Sequence, residues 1–256
     1  MTRSAKFFLL VAMAGILSTG TRMIAAETPE GATASSHEGS VSPTAEVRNA
    51  RSWEYGPFLN WGTGVGDRSD YKFFWGGAQV GKVLTPVQHA GPLTGQFELA
   101  GNVMPLWQAY TPAPHTQTTT CGNDSVVTPC TLKVGGGTFR GVSLTPVIFR
   151  WNFATRSKRI QPWVQAAGGL IYTTHKFPPS YLASQTINGL PANVDGGTCV
   201  WNFSPQGGVG IHYFTRAKRS IDIGLNAVHI SSASLGDHNP GVNASLQVQV
   251  GYTFWK

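Results

Sequence analysis

From Trp53 onward, apolar and polar residues alternate with a period of two, the spacing of a strand with one greasy and one polar face. The last segment is the cleanest. Ala244, Leu246, Val248, Val250, Tyr252 and Phe254 occupy one face, and Ser245, Gln247, Gln249, Gly251 and Thr253 the other. Over 201–213, Trp201, Phe203, Val209, Ile211 and Tyr213 oppose Asn202, Ser204, Gln206, Gly208 and His212. Over 97–107, Phe97, Leu99, Val103 and Trp107 oppose Glu98, Asn102 and Gln108. Over 160–172, Ile160, Val164, Ala166, Leu170 and Tyr172 oppose Gln161 and Gln165. Segments 53–65, 71–84 and 140–153 are noisier, and 220–231 completes the set. About eight strands, an even number, suit a closed antiparallel barrel.

The same period serves a soluble barrel with its greasy face inward, so the face that meets solvent has to be argued. Charged residues are 12% of the chain, about half the share usual in soluble domains, and they are almost absent from segment middles. Aromatics gather near segment ends, as in interfacial girdles, and the chain ends in an aromatic strand, Tyr252 to Lys256. These features predict an all-β protein, an eight-stranded antiparallel transmembrane β-barrel spanning 51–256. The net charge of +7 then suits anionic lipid headgroups. No basic helix or Lys-rich tail accompanies it, so no nucleic-acid partner is expected. Self-association into a homodimer is left open.

The N-terminus sets the compartment. Arg3 and Lys6 precede the apolar run Phe7 to Leu17, and small residues follow up to Ala26. The run is about half the length of a spanning helix, so 1–26 reads as a signal peptide. Residues 27–50, rich in Ser, Thr, Ala, Glu and Pro without periodicity, read as a disordered leader. Cys121 and Cys130 share a polar connection and would pair in an oxidising compartment, while Cys199 is left over. No CxxC or HxxxH is present, so no metal is expected, and no cofactor either. The long polar connections 111–138, 174–198 and 232–242 read as external loops. The short basic turns 154–159 and 215–219 read as periplasmic.

Hydrolase and nucleotide signatures such as GxSxG, HExxH, a Walker loop and GxGxxG are missing. What remains is the run His229 to Asp237. Ile221, Ile223, Leu225 and Ala227 form the apolar row of their strand, and His229 and Ser231 continue it. Polar groups on a lipid-facing row are costly unless they have a use. A His and a Ser two apart on one face are neighbours, so the imidazole can take the hydroxyl proton. The alternative is an interfacial His followed by a Ser that begins a turn. His212, in the polar row, reads as a lumen hydrogen-bonder, and Glu98 and Arg150 as a lumen pair.

The run HISSASLGDHNPGVNASLQVQVGYTF resembles the C-terminal region of the PagL-type lipid A deacylases, often described as acyloxyacyl hydrolases. YGPFLNWGTGVGDRSDYKFFWGGAQVGKVLT and MPLWQAYTP look like more distant members. The resemblance implies removal of the ester-linked 3-hydroxyacyl chain at the 3 position of lipid A, in the bacterial outer membrane. It implies His229 as general base and Ser231 as nucleophile. The chain departs from the family at three places: Asn243 stands where the family has its Glu, Ser232 where it has Asn, and Ser234 where it has Gly. Asn243 can still accept a hydrogen bond from imidazole, although parity places it in the inward row. Asp237 is a substitute carboxylate, and Ser232 and Ser234 are the oxyanion candidates. An acyl chain of lipopolysaccharide would lie beside Leu225 and Ala227. The rival expectations are a non-catalytic outer-membrane barrel presenting its loops for structure or adhesion, and a secreted lipid-binding barrel.

Overall fold

The structure is a computed structural model, and it describes residues 42–123, 126–174, 186–187, 190–193, 199–233 and 243–256. In chain order, helix α1 (Pro43–Ala50) precedes β1 (Trp53–Gly64), β2 (Lys72–Val83) and β3 (Gly95–Tyr110). There follow β4 (His115–Asn123), β5 (Val126–Val134), β6 (Thr138–Phe153), β7 (Ile160–Thr173), β8 (Thr186–Ile187) and β9 (Leu190–Asn193). The last are β10 (Trp201–Phe203), β11 (Gln206–Arg216), β12 (Arg219–His229) and β13 (Ala244–Trp255). Strands β1, β2, β3, β6, β7, β11, β12 and β13 pair in that order, all antiparallel, and β13 pairs back onto β1. The sheet is therefore a closed eight-stranded barrel, with no free edge.

Alternation places the greasy rows outside. Leu59, Trp61, Phe149, Val209, Leu225 and Leu246 stand exposed on the outer wall. An apolar belt of that extent is far larger than a soluble monomer exposes, which removes the inward-facing alternative. One assignment changes sides. Trp107 was expected on the outer face, yet it is 1% exposed and points inward. The β3–β6 register shifts between Met104 and Trp107, where Pro105 has no N–H to give the ladder. The added residues invert the parity above them.

The lumen is filled in tiers. At the end of the long connections, Phe73, Trp75, Trp107, Phe139, Ile171, Val228 and Ile230 pack together, with Trp75 stacked on Trp107 at 5.7 Å between centroids. Below lies a polar layer. Arg150 Nη1 donates to Glu54 and to Glu98, each at 2.9 Å, as expected for the Glu98–Arg150 pair. The Arg150 guanidinium lies over Trp163. The Trp163 indole needs bare backbone beside it: a Cβ on Gly210 or Gly224 would lie 2.3 and 2.7 Å from its ring.

Helix α1 closes the short-turn end. Ser42 Oγ caps it by accepting from the Ala45 N–H, Pro43 opens it, and Arg51 ends it in the left-handed conformation at φ 47°. Val47 packs against Val83, Phe214 and Trp255, and the Thr44 hydroxyl donates to Ser157 O at 2.8 Å. Residues 43–50 are thus ordered, where the composition suggested a disordered leader through 50. The expected signal peptide, 1–26, lies outside the described residues. The connection 111–138 also holds more structure than expected. Strands β4 and β5 form a hairpin, joined by β9 through Thr120–Asn193 and Cys121–Ala192, and a disulfide links Cys121 to Cys130.

Candidate active site

The polar pair sits where β12 outruns its neighbours toward the long-loop end. His229 pairs with Ala244 of β13, and its N–H donates to Pro205 O at 3.0 Å. Ser231 exchanges two backbone hydrogen bonds with Phe203 of β10, at 2.7 and 3.0 Å. His229 is therefore held on both sides, by β13 and by Pro205, and Ser231 on one side, by β10. Ile221, Ile223, Leu225 and Ala227 face out, Asp222, Gly224, Asn226 and Val228 are buried, and His229 and Ser231 continue the outer row half-buried. The sequence placed them there, and the structure brings the two onto one face. No hydrogen bond joins the His229 ring to the Ser231 hydroxyl, and the ring makes no side-chain bond, among the described residues. Ser231 Oγ accepts from the Ala233 N–H at 3.1 Å, and Ala233 turns the chain at φ 46°.

Beneath His229 the wall is hollowed. A groove of ≈ 450 Å³ is lined by Ala166, Pro205, Gly207, Ala227, His229 and Ala244 among others. Its cause is side-chain size. Gly207 stands between Ala166 and Ala227 in register across β7, β11 and β12. A Cβ on Gly207 would meet only a carbonyl oxygen at 3.8 Å, and one on Gly168 nothing within 4 Å. Long aliphatic side chains are thus missing where neighbouring rows carry them. Leu225 and Ala227 were expected to flank an acyl chain. Ala227 lines the groove, whereas Leu225 stands exposed on the same row two residues below.

The remaining candidates divide. Asn243 is 3% exposed, and its Oδ1 accepts from Arg68 Nε at 3.1 Å, so it follows the inward parity. Ser232 is 1% exposed and also inward, because consecutive strand residues point to opposite faces. Its hydroxyl therefore does not share a face with Ser231. Asp237 and Ser234 lie outside the described residues. His212 is a lumen residue, with Nδ1 2.8 Å from Asp222 Oδ1. Sequence reasoning missed Arg68, Pro205 and Gly207. The paired glycines Gly168–Gly169 and Gly207–Gly208, interrupting two apolar rows, were the available signal for the groove.

The sequence model of the family described as lipid A 3-O-deacylase (PagL) matches residues 98–253, more than half of the chain. The chain belongs to the PagL lipid A 3-O-deacylase family. No curated protein sequence matches it. The crystal structure of the outer membrane enzyme PagL aligns with 12% identity and a TM-score of 0.40, over 78% of this chain and 98% of that one. The N-terminal β-barrel domain of Pseudomonas aeruginosa OprF aligns with 14% identity and a TM-score of 0.37, over 80% and 98%. Pseudomonas aeruginosa OprG aligns with 7% identity and a TM-score of 0.40, over 80% and 95%. Membership of the PagL family, with the outward apolar belt, places the protein in the bacterial outer membrane. Outer-membrane barrels as a class have short periplasmic turns and longer external loops; by that rule the end of this barrel that carries α1 and the short turns is the one expected on the periplasmic side.

Proposed function

We propose that the protein is a lipid A deacylase working from the outer wall of its barrel, with Ser231 as nucleophile and His229 as general base. The supporting observation is the placement of both side chains on one lipid-facing row at the external rim, above a groove cut into that wall. An ester-linked 3-hydroxyacyl chain of lipid A would lie in the groove beside Ala166, Gly207 and Ala227, gaining about 0.8 kcal/mol per methylene held there relative to water. Its carbonyl would then sit at headgroup height. Ser231 Oγ attacks it and passes its proton to His229. The tetrahedral intermediate collapses, the sugar oxygen leaves with that proton, and water hydrolyses the acyl-enzyme with His229 again the base. No metal or cofactor takes part.

The ring requires a partner to hold its tautomer. Asn243 is engaged by Arg68, so Asp237 is our choice for that partner. The oxyanion requires donors, and we assign the backbone N–H of Ser232, next to the nucleophile, together with Ser234. The Arg68–Asn243 contact also favours a second reading, a barrel of this family that has lost catalysis and presents its loops.

The two readings separate in one assay. The refolded protein is incubated with lipopolysaccharide in detergent, and lipid A is weighed by mass spectrometry. The enzyme predicts loss of one hydroxyacyl mass, abolished by Ser231→Ala and by His229→Ala. No loss with the wild type, or equal loss in both variants, would end the proposal.

A further inference from the structure

Charge is divided unevenly between the two ends of the wall. At the short-turn end, the turns 154–159 and 215–219 carry three Lys or Arg each. Arg48 lies in α1 and Arg51 caps it, and Lys82 and Lys256 stand at the ends of β2 and β13. Outside the lumen, Glu46 is the one acidic side chain at that end among the described residues. It meets Lys218 at 3.7 Å in an exposed pair, a contact of little worth. The other end is balanced: segments 65–72, 111–140, 174–198 and 232–242 hold five Lys or Arg and five Asp. The basic character of the barrel's rim therefore belongs to the end away from the proposed catalytic pair.

Two of these cations face each other. Arg216 of β11 stands opposite Arg219 of β12 in register, and like charges directly opposite on one sheet face repel. Neither has an ion-pair partner among the described residues. The Arg219 guanidinium rests 4.2 Å from the centroid of the Phe254 ring. Phe254 is stacked on Tyr55 at 5.5 Å and meets Tyr252 edge-on at 5.2 Å. Lys82 repeats the arrangement over Trp53 at 5.2 Å. From Arg219 the outer row of β12 continues into Ile221, Ile223 and Leu225, all exposed. The guanidinium thus sits where the apolar belt stops and aromatic rings begin, the level of a membrane's headgroups.

We propose that this collar binds anionic phospholipid headgroups, with Arg216 and Arg219 as its principal phosphate site. A guanidinium presents a planar fork that fits phosphate oxygens, and one phosphate between the two arginines turns their repulsion into attraction. The acyl chains of the same lipid would run along Ile221 and Ile223. The occupant is a phospholipid of net negative charge, such as phosphatidylglycerol, because a zwitterionic headgroup brings an ammonium into an already basic rim. Lipid A phosphates belong to the opposite leaflet, where this barrel's charges cancel. The collar does not depend on the Ser231 chemistry.

The test titrates phosphatidylglycerol or phosphatidylcholine into micelles of the refolded full chain and counts bound lipid by native mass spectrometry. We expect phosphatidylglycerol to bind in preference to phosphatidylcholine, and added salt to weaken that preference. A cation at an anionic surface is worth roughly fivefold in affinity, so Arg216→Gln/Arg219→Gln should raise half-saturation by roughly twentyfold. Lys72→Gln/Arg140→Gln, at the other end, should leave it unchanged. Circular dichroism confirms folding, and if the double arginine variant fails to fold, the exposed Arg216→Gln decides alone. Equal binding of the two lipids by the wild type, or wild-type preference in the folded arginine variant, would overturn the proposal. A preference lost only in Lys72→Gln/Arg140→Gln would do the same.

Discussion

At the residue scale, outcomes turn on which face of the wall a side chain occupies and on what stands beside it. Gly224 leaves room for the Trp163 indole, so a Cβ there would lie 2.7 Å from the ring and force the lumen to repack. We predict that Gly224→Ala costs about 1–3 kcal/mol in urea unfolding from detergent micelles. A cost near zero would show that Trp163 moves freely. Gly207 is the opposite case, because a side chain there enters the groove and meets little else. Gly207→Leu should leave the melting temperature in place and lower kcat/KM on lipopolysaccharide by roughly tenfold or more, through lost acyl-chain binding of ~1–3 kcal/mol. Unchanged kcat/KM would remove the acyl chain from this groove. The pair His229 and Ser231 could be read from the sequence because alternation is local. The engagement of Asn243 could not, since Arg68 reaches it from 175 residues away.

At the element scale, the strands themselves were legible, since each segment carries its period in its own residues. The places where they bend were not. Pro105 and Pro146 interrupt neighbouring strands, and the β3–β6 and β6–β7 registers shift beside them. This explains both the noise in 140–153 and the inward turn of Trp107. Hairpin β4–β5 also escaped notice, because its Thr-rich segment, HTQTTTCGN, has no greasy face to alternate. Helix α1 shows the converse: its sequence is too short and polar to announce itself, and its order comes from docking Val47 onto Phe214 and Trp255. Val47→Asp would bury an unpaired carboxylate there, and we predict a loss of about 2–5 kcal/mol in the same unfolding measurement. Wild-type stability in that variant would mean the helix does not cap the barrel.

At the scale of the whole molecule, one architecture serves two solvents. The outer wall meets hydrocarbon, the lumen holds a hydrogen-bonded polar layer from Arg150 through Gln165 and Asn226 to Gln249, and the catalytic candidates sit on the outside of the wall at its external rim. Leu225→Arg, on the outer wall midway along β12, should destabilise the barrel by about 2–4 kcal/mol in lipid bilayers. A negligible effect would mean that this row does not face acyl chains.

The central claim is that the outward hydroxyl of Ser231 is a nucleophile activated by His229. The direct measurement is covalent capture: a long-chain alkyl fluorophosphonate is incubated with the refolded barrel, and the modified residue is mapped by peptide mass spectrometry. A single adduct on Ser231 is expected, strongly slowed in His229→Ala. An adduct on another serine, or none from a barrel that deacylates lipopolysaccharide, would contradict it.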